Sequence, residues 1–284
     1  MRGPIPAGAA LKAPTRAGRG VLCWAMDRIS PTRRPAGPPQ GYHQWRHLLF
    51  LHWPVPEEVL RPLVPPTLSI DTFEGQAWVG LVLFTMQGIR PTRFLPAIPG
   101  VSAFHETNVR TYVHHQGKDP GVWFFSLDAA NSLAVRAARW GWSLPYFRAT
   151  MSVERSVQGT EDTVRYHSLR EWPQPAPAGA HVEARLGKGL PPADPGSLTF
   201  FFAERYLLYA QRDDGTLLSG RVYHTPYPLR EAQVEVLEED LLAKAGLPRG
   251  EQRAPDLFSE GVDVEVFPLV PVDRGPKTDE PAAG

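Results

Sequence analysis

One predicted strand carries the side chains best suited to chemistry. Residues 106–114 alternate as a strand does, so that successive side chains point to opposite faces. One face holds a carboxylate, an amide, a guanidinium and a phenol: Glu106, Asn108, Arg110 and Tyr112. A carboxylate can act as a general base or neutralise an arginine. If the strand lines a barrel too wide for side chains to fill, this face meets trapped water or a ligand.

Other combinations of reactive residues have simpler explanations. Ser126 and Asp128 could form a nucleophile and its partner, but local capping of a following helix explains them more simply. His43 and His47 are spaced for a metal on a helix, yet they lie in a segment predicted as a strand, where that spacing does not converge. The sequence has no phosphate-binding loop, dinucleotide fingerprint, zinc-protease motif or nucleophile elbow. We therefore predict neither a metal site nor a cofactor.

These residues need a framework of short strands. Residues 106–114 and 122–127 flank a turn rich in Gly, Asp and Pro, which predicts a hairpin. Residues 76–86 are almost continuously apolar, as in a strand buried on both faces. Many further short strands favour a mainly β (α+β) fold, an antiparallel β-cone or barrel. Two or three short helices are expected, at residues 57–64, 129–140 and 238–245.

Composition predicts the cellular compartment of the protein and whether it spans a membrane. The single cysteine, Cys23, rules out a disulfide framework and fits a reducing compartment. No run of about 18 apolar residues predicts a membrane span, and no secretory signal is evident. We expect a cytoplasmic protein with no membrane partner.

Charge is unevenly distributed along the chain. Residues 1–40 contain seven basic residues and one acid, which leaves 23 basic and 29 acidic residues in the remainder. The mildly acidic body argues against nucleic acid as a partner. The basic segment is rich in Gly, Ala and Pro, so we predict a disordered tail at 1–40, a domain at 41–270 and a second tail at 271–284. Met26 is an alternative translation start.

Several stretches resemble the YqjF-like family of uncharacterised bacterial proteins, also called domain of unknown function 2071. They are RHLLFLHW at 46–53 running into LRPLVP at 60–65, FHETNVRTY at 104–112, and FSLDA at 125–129 continuing to LPY at 144–146. RYLLYA at 205–210 and HTPYPL at 224–229 fit the same family. The resemblance covers roughly residues 42–268.

A more distant resemblance connects the chain with acetoacetate decarboxylase. It implies that family's β-cone fold, a carboxylate-binding role for Arg46 and a cavity position for Glu106. It places Tyr146 where the family has its Schiff-base lysine, and Phe147 at the lysine beside it. A phenol cannot form an imine, so the family's chemistry is not expected here. Relatives form rings, which makes a homo-oligomer an expectation, although no interface is evident.

Two functional hypotheses follow. In the first, the protein binds a small anionic organic ligand through Arg46, Glu106, Asn108, Arg110 and Tyr146, without Schiff-base chemistry. In the second, Glu106 and Tyr146 move protons in an imine-independent lyase, decarboxylase or hydratase.

Structural interpretations stay open beside both hypotheses. Arg46 and Glu106 could form a buried ion pair, Arg110 could bond Glu106 or a backbone carbonyl, and Tyr146 could be a packing residue. A filled, dry interior would instead indicate an interaction module.

Overall fold

A computed structural model describes residues 26–97, 102–131, 135 and 142–272. Most of the helix predicted at 129–140 lies outside the described residues. Within them the chain forms thirteen strands: β1 (Gly41–Val55), β2 (Ser69–Ile70), β3 (Ala77–Arg90), β4 (Ala103–His115), β5 (Lys118–Ala129), β6 (Tyr146–Gln158), β7 (Glu161–Trp172), β8 (Ala178–Gly189), β9 (Leu207–Gln211), β10 (Leu217–Tyr223), β11 (Leu229–Glu239), β12 (Leu257–Val266) and β13 (Val270–Pro271). The helices are α1 (Glu57–Leu60), α2 (Leu198–Ala203) and α3 (Leu241–Lys244), with 3-10 turns at Ser30–Thr32 and Arg61–Leu63.

All thirteen strands belong to one sheet, and the sheet closes on itself. Its centre is the antiparallel series β12-β1-β3-β4-β5. The two outer strands of this series each change neighbours along their length. The last residues of β5 pair with β6 and its middle pairs with β9, while β12 pairs with β11 at its start and with β10 at its end. Two strand paths therefore join β5 to β12, one on each side of the central series.

The strand alternation gives the central series two different faces. One face buries a mainly apolar core with β6, β7, β8 and α3, in which Leu51, Leu81 and Val109 are 0% exposed and Thr107 and Thr111 are buried beside Val109. The opposite face turns Phe50, Val82 and the polar row of β4 toward β9, β10 and α2. The first face is therefore packed, while the second face lines a cavity.

A bulge in β1 changes which residues face that cavity. His47 has a positive φ of 52°, and the pairing of β1 with β3 shifts between Arg46 and Leu49. Beyond the bulge Leu48 faces the cavity, but before it Trp45 does, so the alternation changes phase by one residue. On the neighbouring strand β12, Gly261 lies directly opposite Arg46 with a φ of +131°. The two strands therefore deform together.

Several sequence predictions are confirmed. The fold is mainly β, residues 106–114 and 122–127 lie in the β4–β5 hairpin, and short helices occur near residues 57–63 and 241–244. Helix α2 was not predicted; Ser197 caps it by accepting a hydrogen bond from the Phe200 amide, and Phe200, Phe201 and Phe202 are buried. None of the described helices is long and apolar enough to cross a membrane.

One local prediction needs correction. Asp128, interpreted as a helix cap, instead lies on β5 in a buried ion pair with Arg170, with distances of 2.6 and 2.9 Å. The error arises because the partner of this carboxylate lies far away in sequence.

The part of the predicted tail that the structure describes, residues 26–40, contacts the domain. Pro31 is buried, and Arg28 forms a bidentate ion pair with Asp71.

Candidate functional site

A cavity of about 370 Å³ opens on the second face of the central series. Its wall is mostly apolar and includes Leu48, Phe50, Val82, Phe84, Met86, Ile89, Phe104, Phe124, Leu127, Trp142 and Leu144. A few polar side chains interrupt this wall, chiefly Glu106, Asn108, Arg110, Tyr146 and Arg205. An apolar pocket of this size with a small polar set is typical of a site for a small organic ligand.

Glu106 and Tyr146 form a hydrogen-bonded pair in the cavity wall. The Tyr146 hydroxyl donates to Glu106 Oε2 over 3.0 Å. Glu106 lies on the polar face of β4. Tyr146 is the first residue of β6 and pairs in parallel with Leu127 of β5. The two side chains are 2% and 9% exposed. They therefore interact in a poorly hydrated setting.

Burial raises the pKa of Glu106 to about 8, an effect that hydrogen bonds from Tyr146 and Asn108 only partly oppose. The charge of Asp128 raises the pKa further. Burial also raises the pKa of Tyr146 well above its ordinary value. At neutral pH both groups are predominantly protonated, so this pair adds little negative charge to the cavity.

Arg110 is a buried guanidinium that forms no ion pair with any described carboxylate. It is 9% exposed, and its Nη2 donates to the Phe202 carbonyl over 3.0 Å. Its charge also lies 5.9 Å from the Phe50 ring and 5.6 Å from the Tyr112 ring. Within the described part of the chain, Nε has no hydrogen-bond partner. A buried cation without an anion is costly, and a bound anion would relieve that cost.

Arg205, the second guanidinium in the wall, forms an ion pair within the fold. It donates to Asp71 over 2.7 Å, and Asp71 also accepts from Arg28. Burial lowers the pKa of Arg205 to about 10, although the charge of Asp71 opposes this shift. Two arginines share one carboxylate, so this cluster carries a net positive charge beside the cavity.

Three further polar atoms of the wall residues are buried without a hydrogen-bond partner among the described residues. They are the Asn108 carbonyl oxygen, the Trp45 indole nitrogen and Arg205 Nη2. Buried polar groups in native proteins are nearly always satisfied. The cavity therefore offers unmet hydrogen-bonding capacity that water or a ligand can fill.

The structure brings Glu106, Asn108, Arg110 and Tyr146 together, but it does not bring Arg46 to them. Arg46 does not line the cavity, and it donates instead to Asp263 over 2.5 Å and to the Val262 carbonyl over 2.7 Å. The bulge at His47 is the cause, since it turns Trp45 inward in place of Arg46. The buried Arg46–Glu106 ion pair, one of the two interpretations open from the sequence, is therefore not formed, since Arg46 pairs with Asp263.

Arg110 donates a hydrogen bond to a backbone carbonyl, which is one of the structural interpretations given above for this residue. It lines the cavity all the same. The structural contact thus positions the guanidinium in the wall rather than removing it from the site.

None of the described lysines lies in the cavity wall. Lys118 begins β5, Lys188 is 76% exposed in an ion pair with Glu231, and Lys244 ends α3. No group of metal-ligating side chains is found in the described ranges.

Sequence reasoning missed Arg205, Trp45 and Tyr227, which also line the cavity. The sequence of residues 206–211 predicts the strand that follows Arg205. It does not predict that the Arg205 side chain faces the cavity. Trp45 depends on the bulge, for which the sequence offers no cue.

Comparisons with known proteins agree with this architecture. The model of the DUF2071 family, described as an uncharacterized conserved protein, matches residues 42–263. The chain is 37% identical over 225 residues to the uncharacterized protein YqjF of Bacillus subtilis (strain 168), covering 79% of this chain and 89% of YqjF.

Among solved structures, the enduracididine biosynthesis enzyme MppR in complex with pyruvate is similar with a TM-score of 0.58 at 10% identity, covering 83% of this chain and 91% of MppR. Acetoacetate decarboxylase from Legionella pneumophila gives 0.56 at 15% identity, covering 93% and 98%. An acetoacetate decarboxylase-like enzyme from Sphingomonas wittichii RW1 gives 0.57 at 11%, covering 84% and 94%.

At such low identity the solved structures show a common fold and nothing finer. They support the acetoacetate decarboxylase-like architecture expected from the sequence. The family match spans most of the described chain, and the YqjF match is close over nearly the whole of that protein. The chain therefore belongs to the DUF2071 family of uncharacterised conserved proteins, and it has an acetoacetate decarboxylase-like fold.

Proposed function

We propose that the cavity binds a small organic anion, held non-covalently by Arg110. The observation that carries this proposal is a guanidinium that is 9% exposed, lines the cavity and forms no ion pair with a described carboxylate. A carboxylate ligand would accept charge-assisted hydrogen bonds from it. MppR was solved in complex with pyruvate, itself a carboxylate, which agrees with this choice of ligand chemistry.

The absence of an amine from the described cavity wall argues that binding does not proceed through an imine. Tyr146 occupies the wall beside Glu106, and a phenol hydroxyl cannot condense with a ketone. Its hydroxyl can donate a hydrogen bond to a carbonyl oxygen of the ligand. The ligand is then retained non-covalently, by charge, hydrogen bonding and shape.

A thermal-shift screen with carboxylates and keto acids tests this proposal. The wild-type protein should be stabilised, and Arg110→Gln should lose most of that stabilisation, as if affinity fell at least about tenfold. Arg46→Gln is the matched control, because it removes an arginine that lies on the same sheet but outside the cavity. Stabilisation that survives Arg110→Gln, or that disappears in Arg46→Gln, would contradict the proposal.

The Glu106–Tyr146 pair favours a second candidate function, imine-independent proton transfer. A carboxyl with a pKa of about 8 can give and take a proton near neutral pH. Ionised Glu106 would remove a proton from the carbon beside a ligand carbonyl, while Tyr146 donates a hydrogen bond to the resulting enolate oxygen. Such a site would suit an enolising lyase, decarboxylase or hydratase.

Deuterium exchange into keto acids, followed by NMR, tests this candidate. Exchange that needs Glu106 as a base should increase as the pH rises through about 8, be lost in Glu106→Gln and fall in Tyr146→Phe. Treatment of the protein with a keto acid and cyanoborohydride, followed by removal of both reagents, should leave the exchange activity unchanged, because no imine forms. Exchange that is equally fast in Glu106→Gln would remove this role and leave the binding function alone.

A further inference from the structure

We propose that the ligand is an elongated, apolar monocarboxylate that enters with its carboxylate first. This inference rests on the proposed binding function and specifies its ligand class. It comes from the order of chemical groups along the cavity, which runs from a cation at one end through a neutral polar pair to an apolar end.

Strand β4 sets this order. Phe104, Glu106, Asn108 and Arg110 follow one another on the same face. Since each pair of residues advances about 7 Å, the Cα atoms of Phe104 and Arg110 lie roughly 20 Å apart. The neighbouring β3 places Met86 opposite Phe104. One wall of the cavity is thus long, with the guanidinium at one end and large apolar side chains at the other.

The Arg110 end is closed by aromatic packing. His52 stacks on Phe202 with ring centroids 3.8 Å apart, and its Nε2 lies 2.6 Å from the Tyr112 hydroxyl. Gly80 lies opposite Arg110, where a Cβ atom would come within 3.0 Å of the His52 ring. The missing Cβ leaves room for His52 and Arg110 to lie against the strand, so the Arg110 side chain is held beside this aromatic packing.

The opposite end of the cavity is partly open and apolar. Trp45, Ile89 and Trp142 line the cavity and are half-buried. Near Arg110, Phe50 and Tyr227 are buried, while Phe124, which lies opposite Arg110 on β5, is half-buried. A ligand with one charge at Arg110 would extend its body toward Trp45, Ile89 and Trp142. A second charge along that body would lie among apolar side chains of the wall and be costly to desolvate, so the lining favours a single carboxylate.

Isothermal titration calorimetry with acetate, butanoate, hexanoate, octanoate and decanoate tests the inference in the wild-type protein. Measured below pH 8, where Glu106 is protonated, affinity should rise about threefold to fourfold for each methylene that enters the cavity. Octanoate should also bind more tightly than pyruvate. An affinity that does not change with chain length, or that favours pyruvate, would overturn the inference.

Variants separate this inference from the proposed function. Ile89→Trp, which fills the outer end, should weaken decanoate far more than butanoate. Val157→Trp, at a position 66% exposed on β6 and outside the cavity wall, should change neither. An equal loss for both ligands in Ile89→Trp would contradict the carboxylate-first orientation. If Arg110→Gln weakens all carboxylates but chain length has no effect, only the ligand class fails; if Arg110→Gln weakens none, the proposed function fails as well.

Discussion

At the scale of residues, the polar face of one strand decides the chemistry. Glu106, Asn108 and Arg110 could be assigned to a common face from alternation alone, and the structure places all three in the cavity wall. Their charge states could not be derived in the same way. The pKa of Glu106 depends on burial. Whether buried Arg110 forms an ion pair depends on where carboxylates distant in sequence lie in the fold.

Glu106→Gln tests the electrostatic account of the cavity. Because the folded protein holds this carboxyl with a pKa of about 8 against 4.5 ordinarily, the folded state binds the extra proton between these values. The buried carboxyl is therefore tolerated at low pH, and stability falls by up to about 1.4 kcal/mol for each pH unit as pH rises from 4.5 to 8. Glu106→Gln should flatten this dependence.

Denaturant unfolding at pH 5 and pH 9 measures that difference. The variant should gain several kcal/mol over the wild type at pH 9 and much less at pH 5. Glu235→Gln, which changes an exposed glutamate paired with Arg185 and retains Glu106, should keep the pH profile of the wild type. A parallel pH profile for wild type and Glu106→Gln would mean that Glu106 is ionised in the folded protein.

At the scale of elements, the bulge shared by β1 and β12 fixes which side chains line the cavity. The sequence of β1 predicts a regular strand, and regular alternation from Leu48 would place Arg46 inside. The structure places Trp45 there instead. Bulges depend on the pairing of neighbouring strands, and nothing in 44–53 taken alone identifies one. This is why the strands were predictable while the position of Arg46 was not.

Gly261→Ala should disrupt this bulge. A Cβ atom at residue 261 would lie 2.0 Å from the Trp45 carbonyl oxygen, and the φ of +131° is one that side-chain-bearing residues rarely adopt. We expect a loss of more than about 3 kcal/mol in unfolding free energy, or an insoluble protein. Gly75→Ala is the control: its φ is +80°, but no atom lies within 4 Å, so the cost should be about 1 kcal/mol. Equal, small losses would show that the bulge is not constrained.

At the scale of the whole molecule, the sheet divides its interior between a packed core and a cavity. The fold class could be predicted from many short strands with turn residues between them. The two strand paths that join β5 to β12 could not, because β5 and β12 each pair with two neighbours in addition to the central series. The contacts that residues 26–40 make with the domain could not be predicted either, since they are ion pairs between residues far apart in sequence.

Arg28→Ala tests the attachment of that segment. Burial alone would raise the pKa of Asp71, but hydrogen bonding to Arg28 and the charges of Arg205 and Arg28 lower it below its ordinary value. The ion pair therefore adds stability above about pH 4, and this stability is lost as the carboxyl is protonated at lower pH. We expect Arg28→Ala to cost about 1–3 kcal/mol in unfolding free energy at pH 7 and less at pH 3.

The exposed Arg33 provides the comparison, because it lies in the same segment and forms no ion pair with a described residue. Arg33→Ala should change the unfolding free energy by less than about 0.5 kcal/mol. If the two variants were equally stable, residues 26–40 would not be held by the Asp71 contact.

The most direct test of carboxylate binding is a crystal structure of the protein soaked with octanoate and, separately, with pyruvate. We predict that the carboxylate oxygens lie about 3 Å from the Arg110 guanidinium, that the alkyl chain of octanoate points toward Ile89, and that neither molecule is covalently attached. A ligand bound at Arg46, electron density continuous with a side chain, or a cavity empty of both molecules at saturating concentration would contradict the account.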